Sequence, residues 1–247
     1  HRVDRRQRQM CIRDSSYAGQ IINFTFPHIG NVGTNKIDNE TFVPFTSGII
    51  ISADISDPSN FRSIQHLDVW LRENGIPGIC SIDTRSVTNL IRENGAYKCL
   101  LNTKNNDSAS FKDNLKLVKD WSGLNNLDLA KEVSCKEPFI LKPKNKKNLI
   151  KIVAVDYGIK QSILNSLVNL NAEIIIVPAT SGPEMILGYN PDGIFLSNGP
   201  GDPKATGKYA IPTIKKLFDS KTPVFGICLG HCLLYTSPSP RDVEEAR

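Results

Sequence analysis

The sequence predicts an α/β protein, a mixed α/β amino-terminal domain followed by a domain built on a doubly wound parallel sheet. Three observations carry this. From residue 149 onward, strand and helix patterns alternate without interruption. The strands among them, such as L-I-K-I-V-A-V and I-I-I-V, are almost wholly apolar, as parallel strands covered on both faces must be. Two of them empty into glycine-bearing turns, D-G-I-F-L-S-N-G-P-G-D-P at 192–203 and T-P-V-F-G-I-C-L-G-H at 222–231, and a ligand of such a sheet lies at the carboxyl edge of its strands.

Taken in order, residues 1–15 show neither helical nor strand periodicity. They resemble the translated read-through of a sequencing adaptor, as does L-Y-T-S-P-S-P-R-D near the other end. Both ends, 1–15 and 236–247, are expected to be foreign to the fold and disordered. The first domain is expected over 16–135. Alternating apolar residues after Gln20 read as a strand, and residues 45–53 as another. S-N-F-R-S-I-Q-H-L-D-V-W-L-R-E-N-G reads as a helix with Ile64, Leu67, Val69 or Trp70, and Leu71 on its apolar side, stopped by Asn74-Gly75. A short strand G-I-C-S-I-D follows, then a helix from Thr84 or Ser86 to Glu93 closed by Asn94-Gly95, with Asp83 and Arg85 bracing the turn. Cys80 and Cys99 read as core residues and His28 as structural, and one further helical pattern surrounds Phe111 to Val118. C-K-E-P-F-I-L-K-P-K-N-K-K-N, with two prolines and five lysines, reads as an extended, solvated linker over 136–148. The second domain, 149–235, reads as strand 149–155, helix 158–170, strand 172–177, helix 181–188, strand 193–197, helix 206–218, strand 223–227 and a helix from 229.

Composition excludes several classes of function. No apolar run approaches the roughly 20 residues that a spanning helix needs, and H-R-V-D-R-R-Q-R-Q-M lacks the apolar stretch of a secretory signal. The expectation is a soluble, cytoplasmic protein that does not act on membranes. Six irregularly spaced cysteines make no disulfide framework, and without a C-x-x-C pair no metal site is expected. The formal net charge of +5 is concentrated at 1–15 and in K-P-K-N-K-K at 142–147, with no basic helical stripe or interleaved aromatics, so no nucleic-acid partner is expected.

Chemistry concentrates at Cys228. Gly226 and Gly230 flank it at minus two and plus two, the spacing of a nucleophile elbow, in which larger side chains would crowd a sharp strand-to-helix turn. The helix that starts after it points free backbone N–H groups at the sulfur. The Gly-Pro-Gly loop at 199–201 lets backbone amides approach a ligand closely.

F-L-S-N-G-P-G-D-P followed by P-V-F-G-I-C-L-G-H resembles the triad glutamine amidotransferases. V-A-V-D-Y-G-I-K-Q-S-I-L at 153–164, P-H-I-G-N-V-G-T-N at 27–35 and I-D-T-R-S-V-T-N-L-I-R-E-N-G-A at 82–96 narrow the resemblance to the small, glutamine-hydrolysing subunits of carbamoyl phosphate synthetases, from about Ser16 to about His231. The resemblance implies a catalytic Cys228, substrate contacts from Ser16, Gly199, Gly201 and Leu229, and an oxyanion hole from the Leu229 N–H and that of a loop glycine. It also implies a large partner subunit that uses ATP and Mg, ammonia for arginine and pyrimidine synthesis, and no cofactor or metal in this subunit. Two departures stand out. Cys232 occupies the place of a glutamine-binding Gln, and the family's activating His and Glu lie in a carboxyl part not among these 247 residues, while His231 reads as a helix-packing residue. The chain therefore reads as an inactive internal fragment of such a subunit. The alternative is a chain that retains only binding of glutamine or of the large subunit.

Overall fold

The computed structural model describes residues 12, 14–35, 40–41, 43–102, 108–144 and 149–237. The chain divides into two compact units, His1–Asn125 and Asn126–Arg247.

The first unit is built on a three-stranded parallel sheet in the order β1 (Ile21–Asn23), β2 (Gly48–Ile50), β3 (Gly78–Ile79). Ile49, Ile51, Phe24 and Ile29 pack with Leu67 and Leu71 of helix α1 (Leu67–Glu73). Ile12 lies fully buried in this cluster, although it belongs to the amino-terminal stretch expected to stand outside the fold. Asp14 continues the same correction by accepting the Ser16 N–H at 2.9 Å and capping a 3-10 turn at Ser15–Tyr17. Residues 1–11 and 13 lie outside the described residues, as do 238–247; of the carboxyl-terminal stretch expected to be disordered, Thr236 instead ends a helix and Ser237 is buried, its Oγ donating to Leu233 O at 2.8 Å.

Helix α1 starts later than its apolar pattern suggests. Thr34 pairs with Gln65 as a bridge and its carbonyl accepts the Ile64 N–H at 2.8 Å, so the preceding residues are tied elsewhere and Ile64 stays 70% exposed. His66 then caps the helix through Nδ1, which accepts the Asp68 N–H at 3.2 Å. Helix α2 (Thr84–Asn94) opens on Asp83, whose carboxylate accepts the N–H groups of Arg85 and Ser86 and is held below its usual range, chiefly by the Ser86 bonds. Gly95, at φ +81°, closes it. Helix α3 (Ser108–Asp120) completes the unit. Cys80 and Cys99, expected in the core, are exposed, and His28 is exposed beside Phe26 in an edge-on ring contact.

The second unit carries a five-stranded sheet in the order β4 (Phe139–Leu141), β6 (Ala172–Pro178), β5 (Ile150–Asp156), β7 (Gly193–Leu196), β8 (Val224–Gly226). All neighbours are parallel except β4, which runs antiparallel along β6. Residues 139–141, inside the stretch expected as a linker, are thus an edge strand. Their apolar side chains register against Ile174, Ile175 and Ile176, and the Lys142–Glu173 ion pair at 2.8 Å flanks them. Helix α4 (Leu129–Val133), expected in the first domain, belongs to this unit because Ala130 is buried in its core.

Helices cover both faces, as period-two burial requires. Val153, Val155, Ile175, Val177, Ile194 and Leu196 face helices α6 (Pro183–Gly188), α7 (Pro203–Asp219) and α8 (Leu229–Thr236). Ala154, Ile174, Ile176 and Phe195 face α5 (Gln161–Asn169). The chain passes from β5 to β6 on one side and then crosses back to β7 on the other. The direction of winding reverses between β5 and β7, which places a crevice at their carboxyl ends. Among the described residues no helix is long and apolar enough to cross a membrane.

Candidate active site at the carboxyl edge of the second sheet

The turn between β8 and α8 is a steric construction. A Cβ on Gly226 would stand 2.6 Å from the Gly230 carbonyl carbon, and one on Gly230 would collide with the Leu196 carbonyl. With neither present, the Ile227 N–H reaches Leu196 O at 3.1 Å and the Gly230 N–H reaches Ser197 O at 3.0 Å, so the turn is bonded to the end of β7. Between them Cys228 is held at φ +54°, ψ −110°. An L-residue in that region costs on the order of 1–3 kcal/mol, sustained only when the surroundings over-determine it. Its thiol is exposed. Leu229 is the first residue of α8, so its N–H has no acceptor within the helix, while its side chain is buried beneath.

The neighbouring loop after β7 is fixed by buried polar groups. Ser197 Oγ accepts the Tyr157 N–H at 2.8 Å and donates to Asn198 O at 2.7 Å. Asn198 Nδ2 donates to Gly158 O at 2.9 Å, and its Oδ1 accepts the Lys160 N–H at 3.2 Å. Gly199 lies against the Tyr157 carbonyl with no room for a side chain, and Gly201 has φ +95°. Asp202 caps α7 by accepting the N–H of Lys204 at 2.9 Å and also that of Asn126 at 3.0 Å, and these two bonds hold its carboxyl below the usual range. The turn after β5 is braced in the same way. Asp156 Oδ1 accepts the N–H groups of Gly158 and Ile159, and its Oδ2 accepts that of Cys135 at 2.8 Å. Burial, and then the Asp156 charge, push the Cys135 thiol up to about 12.

Cys228, Leu229, Gly199 and Gly201 therefore follow adjacent parallel strands at one edge of the sheet. Ser16 belongs to the first unit, in the 3-10 turn, where its carbonyl accepts a bond from Gln20. His231, expected to pack its helix, is exposed instead, and Cys232 is half-buried. Asp156, Ser197 and Asn198 were not among the sequence candidates. Their only signal is a small polar residue directly after an apolar strand, at two strand ends that the topology makes neighbours. Among the described residues no group of three His, Cys, Asp or Glu side chains could hold a metal ion.

Residues 8–101 match the carbamoyl-phosphate synthase small chain, CPSase domain, and residues 153–238 match glutamine amidotransferase class-I. The chain is 47% identical over 241 residues to the carbamoyl phosphate synthase small chain of Brucella anthropi, an alignment covering 90% of this chain and 58% of that relative. It is 48% identical over 238 residues to the protein of the same name from Bartonella henselae, covering 90% and 60%. The chain belongs to the carbamoyl phosphate synthase small chain family. It spans 58–60% of the length of these relatives. Within this small-chain family member, the Gly-Pro-Gly loop and the Cys228 elbow both fall in the amidotransferase match, whereas the Asn126–Val133 segment lies between the two matched regions.

Proposed function

We propose that this chain carries the glutamine-hydrolysing site of a carbamoyl phosphate synthase, with Cys228 as nucleophile. The observation that supports this reading best is the strained, exposed Cys228 at the start of α8, held beside the Gly-Pro-Gly loop by bonds to Leu196 and Ser197. The Cys228 sulfur attacks the side-chain amide carbon of glutamine, the carbonyl electrons moving onto oxygen. That oxyanion is received by the Leu229 N–H and an N–H of the Gly199–Gly201 loop. Collapse expels ammonia and leaves a thioester, which water hydrolyses to glutamate. Gly199, Gly201 and Leu229 hold the substrate. The ammonia passes to a large, ATP- and Mg-using partner subunit in the cytoplasm.

A second reading, binding without turnover, is favoured by one observation. Residues 126–247 contain a single histidine, His231, and it is exposed on α8. General acid–base help is worth about 10²- to 10⁴-fold, so these 247 residues alone are expected to react once with an electrophilic glutamine analogue yet release glutamate at least about 10²-fold more slowly than a form extended to the full length of the relatives. Glutamate release is measured for the chain, for its Cys228→Ser variant and for the extended form. Equal rates for the chain and the extended form, abolished by Cys228→Ser, would show that a base exists within these residues and remove the second reading. Failure of the extended form to hydrolyse glutamine would remove the first.

A further inference from the structure

Asp128 occupies the residue before α4, where an Asp ordinarily accepts an N–H of the first helical turn. It makes no such bond. Its Oδ1 turns to α7 and accepts the hydroxyls of Thr206 at 3.1 Å and Tyr209 at 3.2 Å. Thr206 is fully buried, and burial, followed by the Asp128 charge, raises the Tyr209 phenol above its ordinary range, so it remains a donor. The residues around Asp128 lie on the Gly-Pro-Gly loop. A Cβ on Gly201 would stand 3.0 Å from both Leu127 O and Leu129 N, Asp202 N–H donates to Leu127 O at 3.2 Å, and Asn126 N–H donates to Asp202 Oδ2 at 3.0 Å. The strap 126–129 thus touches the loop directly, and Asp128 anchors it by its side chain to the body of the unit.

We infer that Asp128 is a positioning residue for the oxyanion loop, clamping Leu127–Leu129 against Gly201 through Thr206 and Tyr209. The inference rests on the glutaminase reading for its chemistry, but the clamp can be tested apart from it. The full chain is compared with Asp128→Ala, which loses the acceptor, Asp128→Asn, which keeps an oxygen in place, and Tyr209→Phe, which loses one donor and leaves the strap intact. Each is treated with a chloroketone analogue of glutamine. The Cys228 sulfur bonds to the analogue as chloride leaves, and attack at the ketone carbon places an oxyanion in the loop. Iodoacetamide alkylates the same thiol without the loop, read at the Cys228-bearing peptide because Cys80 and Cys99 are also exposed, and amide hydrogen exchange over 198–202 reads the loop itself.

Asp128→Ala is expected to lower the maximal labelling rate by the analogue about tenfold, leave iodoacetamide alkylation unchanged and speed exchange over 198–202. Asp128→Asn should behave like the parent, and Tyr209→Phe should fall between. Unchanged exchange in both Asp128→Ala and Tyr209→Phe overturns the clamp, as does an Asp128→Asn variant as impaired as Asp128→Ala. So does a parallel loss of analogue and iodoacetamide rates, which marks general loosening. If the parent chain reacts with the analogue no faster than Cys228→Ser, the glutaminase reading falls, and the exchange result alone then decides the clamp.

Discussion

A methyl group on Gly230 would run into the Leu196 carbonyl, and one on Gly226 would meet backbone of Gly230 and His231 at 2.6–2.7 Å. Backbone cannot rotate away as a side chain can, so the turn must open to admit either. Gly230→Ala and Gly226→Ala are each expected to cost about 1–3 kcal/mol, the range for overpacking a close-packed site. Gly188, at the end of α6, has no positive φ, and a methyl added there would meet nothing within 4 Å, so Gly188→Ala should be neutral or slightly stabilising. Urea titration followed by far-UV circular dichroism measures all three, and equal effects at 188 and 230 would contradict the steric account. The same two glycines explain why the elbow is readable from sequence. Their spacing about Cys228 is local, and so is the crowding at Gly226, whereas Gly230 is crowded by Leu196 of the neighbouring strand. The braces at Asp156, Ser197, Asn198 and Asp128 leave no such mark, since the bonds that tie them to other segments span 21, 40, 38 and 78 residues and only the folded sheet brings those segments together.

At the level of single elements, β8 has a neighbour on one side, β7, among the described residues, and Phe225 is 64% exposed. Phe225 stacks on Phe195 at 6.2 Å between ring centroids, but its other face is open. An edge strand with a bare aromatic on its face is a site for adventitious association. Phe225→Gln is therefore expected to reduce binding of a hydrophobic dye and concentration-dependent light scattering while losing about 0.5–1.5 kcal/mol of the aromatic pair. Unchanged dye binding would place the exposed apolar surface elsewhere. The alternating elements from 149 onward were legible because β5 and β6, at seven residues each, and the long helix α7 carry several periods of their patterns, and the three-residue β8 is marked by the glycine-flanked turn that follows it. Helix α4 and strand β4 were not legible. Five and three residues are too short to show a period, and lysines and prolines around Phe139–Leu141 imitate a linker. Ile12 failed for the same reason, as one apolar residue beside arginines that only the packed unit reveals as core.

For the molecule as a whole, the two units have separate cores, and they differ in what they bury. In the second unit, Val153, Ile175, Val177, Leu196, Ile214, Leu217 and Leu233 lie within a layer covering one sheet face, and a further cluster covers the other. In the first unit the sheet strands are two or three residues long, and Leu90 and Ile91 of α2 and Phe111, Leu115 and Leu117 of α3 are exposed. Less apolar area removed from water means less stabilisation, at roughly 25 cal/mol per Å². The first unit is therefore expected to unfold first. The chain supplies its own reporter, because both tryptophans, Trp70 and Trp121, lie in that unit, and Trp70 packs against its core. Tryptophan fluorescence should finish changing at a lower temperature or urea concentration than the loss of ellipticity, to which α5, α7 and α8 contribute as well as α1, α2 and α3. A probe-dependent midpoint is the signature of two transitions rather than one. Coincident fluorescence and circular dichroism curves, with a calorimetric enthalpy equal to the van't Hoff value, would mean that the units unfold as one and that the exposed faces of α2 and α3 cost the first unit nothing.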